Sequence, residues 1–383
     1  MFTSNIIFKN FKENKKNPKL NKKLLSLFKE KNEVLKSLSK NYSDSFDKKF
    51  LKKYKKDKDF RVIGMGGSTL GAQTIYDFLN EKVKKNFSFI DNIETKKKIS
   101  KKKKTNLIIS KSGNTIETIV NTNLFVDKGD KNIFITENKK SYLYLLAQKL
   151  KSEIIYHNNF IGGRYSVLSE VGMLPAELMG LDPKKFRCLN DLIKNKNFLN
   201  SLISNVSSII YFAKNKKFNS IIINYDHNSE NLFNWYQQLV AESLGKKKKG
   251  ILPIVSNMPK DNHSVMQLYL DGFNNNFFTF FYVRENKSLK INNKKLLTSE
   301  NHLKDKSLDA IKYAQKKATE NIFKKKQIPF RSFEIKKRDE KSLGELFCFF
   351  ILETILLGKV LKLNPYDQPA VELIKKETKK LLI

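Results

Sequence analysis

The chain has 383 residues and a net charge of +36, too long for one ordinary domain and long enough for two that each bury a core. Its longest nearly apolar run, Leu346 to Leu357, is broken by Glu353, which excludes a spanning segment of about 18 apolar residues. The two cysteines, Cys188 and Cys348, are far apart and in apolar surroundings, which excludes zinc spacing and a disulfide framework and predicts two buried thiols.

Met1 to Lys19 is polar and basic, without an apolar central block or a small-residue cleavage site, so a cytoplasmic location is expected. The positive charge is scattered in short runs: Lys55-Lys56, Lys101 to Lys104, Lys246 to Lys249 and Lys324 to Lys326. Nucleic acid would call for one basic stripe interleaved with stacking aromatics, and none is visible. Lys, Asn, Ile and Phe are abundant together, the bias expected if codon composition drifts toward A and T, and the lysines are expected to form solvated faces. Neither a nucleic-acid nor a membrane partner is expected.

In chain order, residues 1–58 predict a helical N-terminal arm, with Leu20, Leu24, Leu25, Leu27, Phe28 and Leu35 supplying apolar faces at helical spacing. Phe60 to Ile63 reads as a strand that runs into Gly64-Met65-Gly66-Gly67-Ser68-Thr69-Leu70-Gly71 and then a helix through Phe78. A glycine-rich turn there signals ligand contact, or merely close packing of strand on helix. The dinucleotide fingerprint is excluded, because Thr69 stands where its third glycine belongs, and the P-loop pattern is missing too. Strands are predicted at Phe87–Ile90, Asn106–Ile109 and Asn132–Ile135 with helices between, hence a parallel sheet covered on both faces over residues 60 to about 185.

The strand ending at Ile109 leads into Ser110-Lys111-Ser112-Gly113-Asn114-Thr115-Ile116-Glu117-Thr118 and a helix. Three hydroxyls, a lysine and open N–H groups at a helix start suit a phosphate, and Gly113 lets the backbone approach closely. An ordinary capped turn is the plainer alternative. Both turns would lie beyond the carboxyl ends of their strands, where such sheets bind ligands.

A second sheet is predicted from Ser220–Asn224, Ile251–Val255 and Phe277–Val283. Between its first two strands runs a helix with Ser229 as N-cap and Gly245 as stop. Trp235, Gln238, Leu239 and Glu242 share one of its faces. Glu242 thus sits in the last turn on an inward face, where helix dipole and desolvation both disfavour negative charge, which suits a general base. A partly exposed Glu242 paired with Lys246 is the alternative.

Six blocks occur in order: the two turns, Gly162-Gly163-Arg164-Tyr165-Ser166, Gln238 with Ala241-Glu242-Ser243-Leu244-Gly245-Lys246, His263-Ser264, and Asp367-Gln368-Pro369-Ala370-Val371-Glu372. Together they resemble the glucose-6-phosphate isomerase family over roughly residues 60–376. The resemblance implies an α/β fold of two three-layer α/β/α sugar-isomerase domains with parallel sheets. Residues 59–190 would form the first, 200–365 the second and 366–383 a C-terminal helix. It further implies interconversion of glucose 6-phosphate and fructose 6-phosphate through a cis-enediol, with no metal or other cofactor.

Under that resemblance Ser110, Lys111, Ser112 and Thr115 would bind phosphate, with Gly67 and Ser68 lining the same pocket. Glu242 would move the proton between C2 and C1, Gln238 would stand beside the substrate, and Arg164 would stabilise the enediolate oxygen, since a guanidinium cannot give up its proton. His263 and Lys375 would open the sugar ring, with His263 reaching in from the other subunit of a homodimer. Spacing from Asp367-Gln368 selects Lys375 over Lys376. His157, His227 and His302 match nothing and are expected to be structural. Ala370 replaces the family's usual glycine, and residues 286–330 carry no readable motif. A related isomerase accepting mannose 6-phosphate or an amino-sugar phosphate, and a non-catalytic sugar-phosphate sensor, remain the alternatives.

Overall fold

The computed structural model describes residues 2–13, 18–94, 103–127 and 129–383. Met1, residues 14–17 of the expected arm, and Lys101 and Lys102 lie outside the described residues. The chain enters through strand β1 (Ile6–Lys9), which corrects the expectation of an all-helical arm. Ile6-Ile7-Phe8 is a short β-branched and aromatic run, too short for a helical face, and Ile6 is fully buried. Helices follow at Pro18–Lys29, Glu33–Ser37 and Lys48–Lys52. The first buries Leu20, Leu24 and Leu27 but leaves Leu25 exposed, as one apolar stripe requires.

Strands β2 (Asp59–Ile63), β3 (Asn86–Ile90), β4 (Thr105–Ile109), β5 (Lys131–Thr136) and β6 (Glu153–Tyr156) form a parallel sheet in the order β3-β2-β4-β5-β6. Leu107, Ile109, Ile133 and Ile135 pack into one core, whereas Ile63, Ile108 and Phe134 pack on the opposite face with Leu143 and Ala147. Alternate residues feed alternate faces, so helices cover the sheet on both sides. A strand buried on both faces reads as an unbroken apolar run, which is why β4 and β5 were visible in sequence.

Strands β7 (Asn219–Asn224), β8 (Leu252–Asn257), β9 (Asn276–Val283) and β10 (Phe330–Ile335) complete a second sheet, ordered β1-β10-β9-β7-β8. Its pairings are parallel except at β1, which runs antiparallel to β10 with Ile6 opposite Ile335. The sheet is therefore mixed at one edge, where β1 covers backbone groups that β10 would otherwise expose. β10 escaped sequence reading because Arg331, Ser332 and Glu334 interrupt its apolar pattern, yet all three are buried.

The long helix Glu340–Leu361 is buried on all sides from Ser342 to Gly358. It contains the apolar run Leu346–Leu357, which is core: Trp235 meets Phe347 with ring centroids 4.9 Å apart, and Phe2 meets Phe349 at 5.3 Å. Among the described residues no helix is long and apolar enough to cross a membrane. Both cysteines are buried and free. One charge in this helix is matched deep inside: Glu353 pairs with Arg331, both fully buried, and accepts further hydrogen bonds from Asn205 and from Tyr236 Oη at 3.0 Å. Replacing Glu353 by Ala leaves the guanidinium without a counter-charge. The expected cost is about 3–5 kcal/mol, read as a lower urea midpoint, and an unchanged midpoint would contradict the pairing.

Candidate active site

β2 and β4 are neighbours, so the turns that follow them lie side by side. A Cβ added to Gly64 would stand 2.9 Å from the Ile109 carbonyl oxygen. In the second turn Gly113 adopts φ +65°, a conformation glycine takes without strain, and Ser110 Oγ lies 3.0 Å from Thr115 Oγ1. Thr115 is N-cap of the helix Ile116–Phe125, but its hydroxyl does not cap it. The hydroxyl pair thus stands at a helix start whose N–H groups favour an anion. Ser112 Oγ accepts from Asn114 N at 3.3 Å. Ser68 is half-buried in the short 3-10 turn Gly66–Ser68. The Lys111 ammonium donates to the Asn159 carbonyl at 2.8 Å and lies 3.6 Å from Glu137, so its charge is already engaged within the chain.

The first turn connects to the rest of the site by close contact. A Cβ on Gly67 would fall 2.2 Å from the carbonyl carbon of Gly163, so Gly162-Gly163-Arg164 rests directly on it. Ser166 Oγ tightens the junction by donating to Gly163 O at 2.8 Å. The Arg164 side chain is 1% exposed, and its guanidinium reaches two other stretches of chain. Nε donates to Ser243 Oγ (2.8 Å), Nη1 to Glu242 Oε2 (3.0 Å) and Gln368 Oε1 (2.8 Å), and Nη2 to the carbonyls of Pro365 (2.7 Å) and Asp367 (3.1 Å). These five bonds match its five N–H groups.

Glu242 lies on the helix Glu230–Leu244 as expected. Trp235 and Leu239 on the shared face are fully buried, while the Glu242 side chain keeps 30% exposure. Its Oε1 accepts from Gln238 Nε2 at 2.9 Å. The carboxylate therefore faces the Arg164 guanidinium and the Gln238 amide together. The alternative pairing with Lys246 is not formed, because the Lys246 ammonium binds Asp367 Oδ1 at 2.8 Å and that hydrogen bond holds the Asp367 carboxyl below its ordinary range. Gln238 Oε1 is buried and accepts no hydrogen bond among the described residues. A Cβ on Gly66 would lie 2.8 Å from Gln238 Nε2, so the glycine turn, Gln238, Glu242 and Arg164 are continuous. Burial raises the Tyr165 hydroxyl above its ordinary range, so it stays protonated and donates to Pro365 O at 3.0 Å.

Among the described residues, neither His263 nor Lys375 hydrogen-bonds a member of this cluster. His263 ends the turn Lys260–His263 with an exposed side chain. Lys375, on the helix Val371–Leu381, is 60% exposed and donates to Glu372 Oε1 at 2.6 Å. His157 is buried between Glu170 Oε1 (2.8 Å) and the Ile161 carbonyl (3.0 Å), and His227 and His302 are exposed. Ala370 has φ −66°, so the position does not need a glycine. Gln368 carried no role in the sequence, and its place two residues before Ala370 in the last block was the only signal. Among the described residues there is no cluster of three or more His, Cys, Asp or Glu that could hold a metal ion.

Comparison with known proteins adds independent findings. The family profile described as phosphoglucose isomerase matches residues 27–382. A glucose-6-phosphate isomerase of Methanocaldococcus jannaschii is 33% identical over 340 residues, covering 82% of each chain. One from Mycoplasmopsis pulmonis is 34% identical over 351 residues, covering 84% of this chain and 82% of its own. Among solved structures, a hypothetical protein from Thermus thermophilus superposes with a TM-score of 0.82 at 22% identity, covering 95% of this chain and 94% of that one. At that identity the likeness speaks for the fold alone.

The Gly67–Gly163 approach is open to a direct check. Gly67→Ala must push the two backbones apart, which overpacking puts at about 1–3 kcal/mol. Urea denaturation of the variant should show that loss, and wild-type stability would mean the turns are not in contact.

Proposed function

The chain belongs to the phosphoglucose isomerase family, and from that membership we infer that it is an isomerase interconverting glucose 6-phosphate and fructose 6-phosphate. We propose the following division of labour. The half spanning residues 59–190 grips the phosphoryl group through Ser110, Ser112, Thr115 and the first N–H groups of the helix behind them, with Gly67 and Ser68 beside it. Lys111 braces that turn by donating to the Asn159 carbonyl. The half spanning residues 200–365 supplies Glu242, which takes a proton from C2 of the opened sugar and returns it to C1 through a cis-enediol.

The observation that carries this reading is the pairing of a partly exposed carboxylate with a fully buried guanidinium. Arg164 Nη1 holds Glu242 Oε2 at 3.0 Å, which fixes the carboxylate beside the opened sugar. The same cation opposes the negative charge that grows on the enediolate oxygen, and burial strengthens that attraction. Gln238 Oε1, buried without a donor among the described residues, is suited to accept from a sugar hydroxyl. Gln368 steadies the guanidinium by accepting from the same Nη1 that pairs with Glu242.

Ring opening needs one group to accept the hydroxyl proton and another to protonate the ring oxygen. We assign these to Lys375 and to His263 of a second copy in a homodimer. The exposure of His263 and the outward apolar residues Leu373, Ile374, Leu381 and Leu382 support an assembled site over a self-contained one. No metal or other cofactor has a role in this scheme. A phosphorylated hexose is a charged solute that does not cross a bilayer unaided, which fits a cytoplasmic location.

Glu242→Gln retains shape and removes the base. Turnover in a coupled assay for fructose 6-phosphate should fall by about 10²–10⁴. Near-normal turnover would remove Glu242 from the mechanism, and sugar-phosphate binding without turnover in the wild-type chain would mark a sensor.

A further inference from the structure

The run Lys246–Lys249, expected to be solvated surface, is folded back onto the molecule. Lys247 and Lys248 adopt φ +54° and +58°, while Lys246 and Lys249 exchange backbone hydrogen bonds of 3.0 and 2.9 Å across them. This is a two-residue reversal of the kind that favours Asn-Gly, here made by two lysines in the left-handed region, which is locally strained. Residues facing each other across such a turn project from the same side. Both flanking lysines reach one segment. Lys249 Nζ donates to the Leu361 carbonyl at 3.3 Å. Lys246 Nζ donates to the carbonyls of Asn364 and Asp367, the latter at 2.6 Å, and to Asp367 Oδ1 at 2.8 Å. An ammonium has three donors; all three are used, and the Lys246 side chain is only 12% exposed.

The segment so held is the one that Arg164 contacts from the other side. Pro365 O, Asp367 O and Gln368 Oε1 all accept from the guanidinium, and the Asp367 carbonyl receives both cations. The helix bearing Lys375 starts three residues after Gln368. We propose that Lys246 is a positioning residue for the isomerisation: it fixes Asn364–Gln368 so that Gln368 and Arg164 stay in register with Glu242. This rests on the isomerase reading and deepens it. Lys246 itself touches no reacting atom, and its effect travels through Asp367, whose carboxylate it pairs and whose carbonyl it shares with Arg164. A catalytic group displaced by about 1 Å can cost on the order of 10²-fold, so a small slackening of this segment is enough to matter.

The test compares wild type, Lys246→Met and Lys246→Arg in the same coupled assay, with thermal melting and competitive inhibition by inorganic phosphate measured alongside. Lys246→Met should lose on the order of 10- to 100-fold in kcat while its phosphate inhibition constant stays at the wild-type value, because the phosphate turns follow strands of the other sheet. Lys246→Arg, which can still donate to the carbonyls, should recover part of the loss. Folded Lys246→Met with wild-type kcat overturns the proposal, as does a loss accounted for by a smaller folded fraction. Should Lys246→Met fail to fold, Asp367→Asn decides, with lowered kcat and unchanged phosphate inhibition expected and wild-type kcat overturning it. An inert wild-type chain would instead remove the isomerase reading, and this inference with it.

Discussion

The structure depends on one buried cation. Arg164 is drawn out of water almost completely, a transfer that costs several kcal/mol unless every N–H finds an acceptor and a counter-charge stands close by. Its acceptors come from positions 78 to 204 residues away in sequence: Glu242 and Ser243 at one helix end, Pro365, Asp367 and Gln368 on the C-terminal segment. Trp235 Nε1 fixes its backbone from beneath by donating to the Arg164 carbonyl at 3.0 Å. Three distant stretches of chain must therefore meet at one point. Gly67 makes the approach to the Arg164 turn possible, because a Cβ there would fall 2.2 Å from the Gly163 carbonyl carbon.

The N-terminal segment serves the same point from outside. Asn32 Nδ2 donates to Tyr366 Oη at 2.6 Å, and Glu33 accepts from Asn158 Nδ2 at 2.9 Å. It thus braces both the segment after the long helix and the loop that leads into Gly162-Gly163-Arg164. Behind that loop the buried Glu170 carboxyl would be pushed up by burial, but His157 and the Asn158 N–H bind it and bring it below its ordinary range. The carboxylate so stabilised anchors the start of the loop, which gives His157 the structural role its sequence suggested.

Legibility in the sequence followed the range of the interaction. The turns at Gly64–Gly71 and Ser110–Thr118 were visible because their chemistry is local: glycine where φ is positive or backbones touch, hydroxyls at a helix start. The helix face of Trp235, Gln238, Leu239 and Glu242 was visible from spacing alone. β1 was missed because four residues are too few to show a period, and β10 because its buried charges pair with Lys316 and Glu353 from elsewhere in the fold. The pairing of Glu242 with Arg164 could not be read from local spacing, which offered Lys246, the neighbour four residues on. Arg164 lies 78 residues away, and only the fold brings it near. His263 and Lys375 illustrate the converse: resemblance supplied a role that the geometry of one chain does not assemble.

In the proposed mechanism a proton passes through the Glu242 carboxylate, which lies 3.0 Å from the Arg164 guanidinium and is 30% open to water. A carboxylic acid so placed exchanges its proton with solvent between turnovers. The most direct measurement is therefore proton NMR of glucose 6-phosphate carried to equilibrium by the wild-type chain in deuterium oxide. The account predicts that the C2 proton signal fades as deuterium enters from solvent. A C2 proton retained in full through many turnovers would mean that hydrogen moves without visiting a base, and would contradict it.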